Sequence, residues 1–200
     1  MKLKVCGLSN QEEVEACISL KVNYCGFILN YPKSHRYISF DNAKYLTNIK
    51  KNNTKFVGVL VKPTEKELNN FSKLKLDYFQ LYGDFNSTEL KQIKKNYKKK
   101  IIMTIQVKKK EDIGKYKLIE DVADIILWDS SGYEESLSWD FNWLHPVKTE
   151  VEKMVAGNIS INEIQYLKGL ADTIDVSGAL ETNKVKDINK IKKFTYEVKK

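Results

Sequence analysis

Short apolar runs recur along this chain, and each one is followed by a longer polar stretch of helical character. Most of the runs are nearly continuous rather than alternating, which is typical of strands buried on both faces of a parallel sheet. The sequence therefore predicts eight strands, at residues 3–6, 24–29, 56–61, 78–82, 101–105, 123–128, 151–156 and 173–176.

The stretches between the strands carry helix start signals. Asn10 is a predicted N-cap for a helix to about residue 20, with acidic residues in the first turn. Ser39 or Asp41 begins a helix to about residue 49, and Ser160 lies near the cap of another. The remaining helices are predicted over residues 64–74, 87–97 and 110–120, with the last one from about Asn183.

Regular alternation of strands and helices predicts a parallel α/β sheet, and eight such units predict a closed (β/α)8 TIM barrel. An open, doubly wound sheet that binds a dinucleotide would carry G-x-G-x-x-G after its first strand. The sequence there is Val-Cys-Gly-Leu-Ser-Asn, which does not match. We therefore expect a single barrel domain over residues 1–200.

Composition narrows the class of protein. The chain has 200 residues, of which 42% are hydrophobic, enough for one domain with a real core. No apolar run reaches about 18 residues and no charged-then-apolar leader is present, so we expect neither a membrane span nor a secretory signal. The three cysteines (Cys6, Cys17 and Cys25) lack paired metal spacing. They are expected to be reduced thiols in the cytoplasm.

The formal net charge of +8 fits either nucleic acid or a small acidic ligand. Lysines fall in predicted helices and loops and do not alternate with aromatic residues, so we expect no nucleic-acid partner. Arg36 is the only arginine among 34 basic residues. A lone guanidinium suits a carboxylate or phosphate that it can bind with two hydrogen bonds, although it could equally be a chance survivor on a solvated loop.

In a TIM barrel, functional groups lie at the carboxyl ends of the strands. Cys6 ends the first strand, where a thiol could act as base or nucleophile, or simply be a small buried apolar residue. Asp129 follows the sixth apolar run, where it could be a general acid or only a turn or cap residue. Gly-polar pairs after the seventh and eighth strands are typical of a phosphate site, and they are Gly157–Asn158 and Ser177–Gly178.

The chain also carries several longer motifs in a consistent order. They cover residues 4–10, 26–39, 57–61, 79–83, 127–129, 141–143, 156–159 and 175–177, with Glu181 following. With these motifs the chain resembles phosphoribosylanthranilate isomerase, the barrel enzyme of tryptophan biosynthesis, over nearly its whole length.

The resemblance implies an Amadori rearrangement of a small phosphorylated substrate, without metal or organic cofactor, in a monomer or homodimer. It implies Asp129 as general acid, Cys6 as general base and Arg36 as ligand of the anthranilate carboxylate. Further substrate contacts are expected from Gln80 and Asp175, and phosphate contacts from Gly157, Asn158, Ser177 and Gly178.

The sequence departs from the family pattern at several places. Tyr82 stands where the family usually has histidine, Gly157–Asn158 replaces Gly-Gly, and 177–179 reads Ser-Gly-Ala instead of Ser-Ser-Gly. In place of a glycine-rich stretch the chain has Glu134 and Glu135, which we expect to point toward solvent. These changes leave two alternatives open: a phosphosugar-binding barrel without this activity, and an isomerase of a different phosphorylated sugar.

Overall fold

A computed structural model describes residues 1–130 and 137–200. Eight parallel strands close into a barrel in sequence order, with β1 paired to both β2 and β8. The predicted (β/α)8 fold is confirmed. The strands are β1 Lys2–Cys6, β2 Tyr24–Ile28, β3 Lys55–Val61, β4 Tyr78–Tyr82, β5 Lys100–Gln106, β6 Ile125–Asp129, β7 Glu152–Val155 and β8 Thr173–Val176.

Helices connect most of the strands. The α-helices are α1 Gln11–Ser19, α2 Phe40–Thr47, α3 Glu65–Ser72, α4 Ser87–Tyr97, α5 Ile164–Leu167 and α6 Ile188–Lys199. The predicted caps form at Asn10, whose side chain accepts from the Glu13 backbone, and at Ser39, which accepts from Asn42. Among the described residues, no helix is long and apolar enough to cross a bilayer.

Two predicted helices differ in kind. The segment predicted as a helix over 110–120 is a 3-10 helix, Lys110–Leu118, with Gly114 in its middle. The Asp112 carboxylate accepts from the backbone of Lys108 and Lys109 and fixes its start. The helix predicted near Ser160 is a 3-10 turn, Ile161–Glu163, followed by the single turn of α5.

The last helix was predicted to begin at about Asn183, and this is wrong. Asn183 and Lys184 have φ of 51° and 64°, a left-handed pair that forms a tight hairpin turn. This turn joins two short strands, β9 Glu181–Thr182 and β10 Val185–Lys186. Helix α6 begins only after Asp187, whose side chain caps it. The hairpin thus places Glu181 and Lys186 side by side at the barrel mouth.

Successive side chains of each strand point alternately out of and into the barrel, which separates two apolar layers. Outward side chains such as Leu3 and Val5 pack under the helices in the main core. Inward side chains fill the barrel with a second cluster: Tyr24, Val57, Tyr78, Ile102, Ile125, Leu127, Met154 and Ala156. Above it, at the carboxyl ends of the strands, the inward positions become polar or small. This change in chemistry places the candidate site.

Candidate active site

A cavity opens at the carboxyl-terminal end of the barrel, where the sequence predicted function. Eight of the nine predicted site residues line it: Cys6, Arg36, Asp129, Gly157, Asn158, Asp175, Ser177 and Gly178. The ninth, Gln80, is fully buried one layer below, where its amide donates to the Tyr82 hydroxyl. Its predicted contact with substrate stays a prediction.

Cys6 is the last residue of β1, and its thiol has room because of a glycine on the neighbouring strand. A Cβ at Gly26 would lie 2.9 Å from Cys6 Sγ and 3.1 Å from Lys4 Nζ. Burial raises the pKa of the Cys6 thiol above its usual value, against the opposing effect of the Lys4 ammonium. The thiol is therefore protonated at neutral pH in the ligand-free protein.

Lys4 is a functional candidate that our reading of single residues missed. Its side chain is completely buried inside the barrel, and its Nζ donates to Asp175 Oδ2 at 2.7 Å. Burial opposes the charge, but Asp175 and Cys6 outweigh it and raise the pKa of the Lys4 ammonium. A lysine two residues before Cys6, between the apolar residues Leu3 and Val5, was the available signal, because alternate residues of a strand share one face.

Asp129 ends β6 and is almost completely buried. The hydroxyl of Tyr82, the last residue of β4, donates to Asp129 Oδ2 at 2.7 Å. Both groups are buried, so this contact is shielded from bulk water. A hydrogen bond to a carboxyl group is stronger in the protein interior than in water. Asp129 therefore has a defined orientation at the cavity wall.

Arg36 lies at the mouth, and its forked side chain is held by a carboxylate of the protein. Nε and Nη2 of Arg36 donate to Oε1 and Oε2 of Glu181 at 2.6 and 3.0 Å. Lys186 Nζ donates to the same Glu181 Oε1. Glu181 was part of a recognised motif but had no predicted role, and Lys186 was not singled out. The two cations and one anion leave a net positive charge beside the cavity.

The loop after β7 has backbone conformations that favour glycine. Gly157 has φ of 117° and Asn158 has φ of 50°. The indole of Trp139 donates to the Ala156 carbonyl at 2.8 Å and lies against Gly157, where a Cβ would come within 2.6 Å of Nε1. Across the cavity mouth, Ser177 Oγ donates to the Cys6 carbonyl at 2.9 Å. The two predicted phosphate loops thus border one cavity.

The sixth loop is described only in part. Glu134 and Glu135, predicted to face solvent, lie outside the described residues. Among residues 1–130 and 137–200, no group of three His, Cys, Asp or Glu side chains is arranged to hold a metal ion.

A known protein family matches nearly the whole of this chain. The family model for N-(5′-phosphoribosyl)anthranilate isomerase matches residues 3–197. The chain belongs to this isomerase family. It is similar to the N-(5′-phosphoribosyl)anthranilate isomerase of Streptococcus mutans, with 33% identity over 202 residues covering 100% of this chain and 99% of the relative. The isomerase of Thermoanaerobacter pseudethanolicus is 31% identical over 208 residues, covering 100% and 98%. The predicted resemblance is confirmed, and the chain is an isomerase.

Solved structures of the isomerase family share the fold. The enzyme of Thermotoga maritima superposes with a TM-score of 0.88 at 24% identity, covering 100% of this chain and 98% of the other. The enzyme of Thermus thermophilus gives 0.87 at 20% identity, with the same coverage. A further member, solved with reduced 1-(o-carboxyphenylamino)-1-deoxyribulose 5-phosphate, gives a TM-score of 0.84 at 23% identity and covers 100% and 98%.

Proposed function

We propose that this chain converts N-(5′-phosphoribosyl)anthranilate to its 1-deoxyribulose 5-phosphate isomer, a step of tryptophan biosynthesis, by an Amadori rearrangement. The observation that carries the proposal is a thiol and a carboxyl group, Cys6 and Asp129, lining one cavity with the lone arginine. Membership of the isomerase family supports the same reaction. The three cysteines, all free thiols, support a cytoplasmic location.

Asp129 acts as the general acid in the first step. Its carboxyl group gives a proton to the ribose ring oxygen, the bond from that oxygen to C1′ breaks, and the anilino nitrogen lone pair forms a C1′=N Schiff base. A buried carboxyl group suits this role, because it delivers its proton without competition from solvent.

Cys6 acts as the general base in the second step. Its thiolate takes the proton from C2′, and the electrons of that C–H bond form the C1′=C2′ bond of an enolamine while the Schiff base is neutralised. The enolamine then loses its O2′ proton and gains one at C1′, which gives the ketone. The Lys4 ammonium next to Sγ stabilises the thiolate that this step needs.

The two charged ends of the substrate bind different groups of the rim. Glu181 engages the Nε–Nη2 edge of Arg36, and Nη1 has no hydrogen-bond partner among the described residues. The remaining Nη1–Nη2 edge can therefore bind the anthranilate carboxylate with two N–H donors. Gly157, Asn158, Ser177 and Gly178 bind the phosphate. Proton transfer by Asp129 and Cys6 accounts for the chemistry, so the proposal includes no cofactor.

The experiment is rescue of a tryptophan auxotroph that lacks the isomerase, together with turnover of N-(5′-phosphoribosyl)anthranilate by the purified chain. The unsubstituted gene should rescue growth and the Asp129→Asn gene should not, because an amide cannot supply the proton. A folded chain that binds phosphorylated sugars but neither rescues growth nor turns over this substrate would favour the non-catalytic barrel. Turnover of another phosphosugar instead would favour the second alternative.

A further inference from the structure

Tyr82 contacts the proposed acid directly, yet no role has been assigned to it. It lines the cavity, and its hydroxyl lies 2.7 Å from Asp129 Oδ2. Its ring packs with Cys6 and Val59 at the top of the barrel. A phenylalanine would provide the same packing, so packing alone does not explain a hydroxyl group at this position.

The hydrogen bonds around Tyr82 have a fixed direction. Gln80 Nε2 donates to the Tyr82 oxygen at 3.2 Å, and the phenolic O–H donates to Asp129 Oδ2 at 2.7 Å. Burial, together with the negative charge of Asp129, raises the pKa of Tyr82 well above its usual value. The phenol therefore keeps its proton at neutral pH, where it remains a donor.

Acidic groups face Tyr82 from three strands: Asp129 on β6, Asp175 on β8 and Cys6 on β1. Asp175 is paired with Lys4, and Cys6 is also close to Lys4. Asp129 accepts the Tyr82 hydrogen bond itself. The donor of Tyr82 is thus directed at the one carboxyl group that the proposed reaction uses as an acid.

The Tyr82 hydroxyl donates to Oδ2 of Asp129. In the proposed reaction Asp129 gives up a proton and becomes a carboxylate. After the proton leaves, the same O–H donates to a carboxylate, and a hydrogen bond to a charged acceptor is stronger than one to a neutral acceptor. The contact therefore favours the state that follows proton transfer, which is the condition for an effect on rate.

We propose that Tyr82 is a positioning residue for the general acid, which holds Oδ2 of Asp129 and stabilises its carboxylate as the ribose ring opens. The proposal rests on the proposed function, since it assigns Tyr82 a part in the same ring-opening step.

The test compares three purified variants by steady-state turnover of N-(5′-phosphoribosyl)anthranilate. Tyr82→Phe keeps the ring and removes the donor, and kcat should fall about ten- to a hundredfold with KM nearly unchanged, the effect of losing one hydrogen bond to a charged group. Tyr82→His restores an N–H donor and should recover most of that loss. Tyr78→Phe is the matched control, since Tyr78 lies two layers deeper on the same strand, and its kcat should equal that of the unsubstituted protein.

The outcomes separate this role from the proposed function. A Tyr82→Phe variant with unchanged kcat, in a protein that is otherwise active, would overturn the role of Tyr82 alone. Equal losses in Tyr82→Phe and Tyr82→His would also overturn it, because a hydrogen-bond donor at this position would then fail to restore kcat. An unsubstituted protein without turnover would overturn the proposed function, and this role with it.

Discussion

Glu181 binds Arg36 through both carboxylate oxygens, at 2.6 and 3.0 Å, so the only arginine of the chain is fixed by the protein before any ligand arrives. A guanidinium has two edges that can bind a carboxylate, and Glu181 uses one of them. The structure thus refines the hypothesis drawn from composition. The forked side chain serves an internal partner and still has an edge for a substrate.

Arg36→Lys should weaken substrate binding, because an ammonium cannot meet Glu181 and a second planar carboxylate at once. We expect a loss of about 1–3 kcal/mol, the range for hydrogen bonds to charged groups, seen mainly as a higher KM. Glu181→Gln should raise KM in the same direction by releasing the guanidinium. Steady-state kinetics measures KM for both variants. An unaltered KM in Arg36→Lys would show that Arg36 does not bind the substrate and has only a structural role.

The Arg36–Glu181 contact should also contribute to acid stability. Partial burial alone would raise the pKa of Glu181, but hydrogen bonds from Arg36 and Lys186 outweigh it and lower the pKa to about 2. A lowered pKa means stability that is present above the ordinary value of 4.5 and is lost as pH falls toward 2. The difference in Tm between the unsubstituted protein and Glu181→Gln should therefore be constant near neutral pH and shrink below about pH 4.5. A Tm difference that does not change with pH would contradict a contribution of this contact to acid stability.

Cys6 should become reactive only at alkaline pH in the ligand-free protein. Burial raises the pKa of its thiol above 9.0, so the thiolate fraction should grow about tenfold per pH unit from pH 7 to 9. The measurement is the rate of iodoacetamide labelling in the Cys17→Ala/Cys25→Ala background, where Cys6 is the remaining cysteine. A fast rate that is the same at pH 7 and 9 would show a thiolate already present at neutral pH.

Cys6→Ala should lose about two to four orders of magnitude in kcat.

Lys4→Met should destabilise the fold strongly, because it leaves Asp175 buried without its partner. The expected loss is about 3–5 kcal/mol in the free energy of unfolding, measured with urea. Adding Asp175→Asn should recover part of it. Lys2→Met is the control on the same strand: its ion pair with Glu152 has a half-exposed lysine side chain, and its loss should cost about 1 kcal/mol or less. Equal losses for Lys2 and Lys4 would contradict the assignment.

Gly157→Ala should disturb the predicted phosphate loop. Its φ of 117° is strained for alanine, and the new Cβ would lie 2.6 and 2.7 Å from two atoms of the Trp139 indole. We expect KM to rise at least about tenfold, as expected when charge-assisted hydrogen bonds to phosphate are lost. Gly114→Ala is the matched control, since a Cβ there meets nothing within 4 Å and φ is not positive. Similar kinetics for both variants would remove Gly157 from the binding site.

Much of the fold could be read from the sequence, because continuous apolar strands and capped helices are local patterns. The carboxyl ends of the strands form the rim of the barrel, so Cys6 and Asp129 could be predicted as rim residues from the sequence. What could not be read depends on contacts between distant segments. Lys4 finds Asp175 across 171 residues, and Arg36 finds Glu181 across 145. The depth of Gln80 was missed for the same reason, because strand position alone does not reveal which layer borders the cavity.

The start of the last helix was predicted wrongly for a different reason. A polar stretch rich in lysine is compatible with a helix, and Asn183 has the character of a cap. Two successive left-handed residues, Asn183 and Lys184, instead turn the chain back on itself. Asparagine tolerates this conformation, whereas lysine adopts it because the hairpin around it closes. The pairing of Glu181 with Lys186 across that hairpin is what a local reading could not supply.

The pairing of the first strand with the last has a consequence for how the protein is made. The Lys4–Asp175 ion pair joins β1 to β8, and the Ser177–Cys6 hydrogen bond joins β1 to the residue that follows β8. Neither contact can form until the chain through β8 has left the ribosome. Contacts of such long sequence separation make folding slow, since the chain must close a very large loop before they stabilise anything. During synthesis, Lys4 and Cys6 lie on a strand whose barrel is still incomplete. The chemistry of the site therefore appears in the same event that completes the fold, and a nascent or truncated chain lacks the groups that poise its thiol.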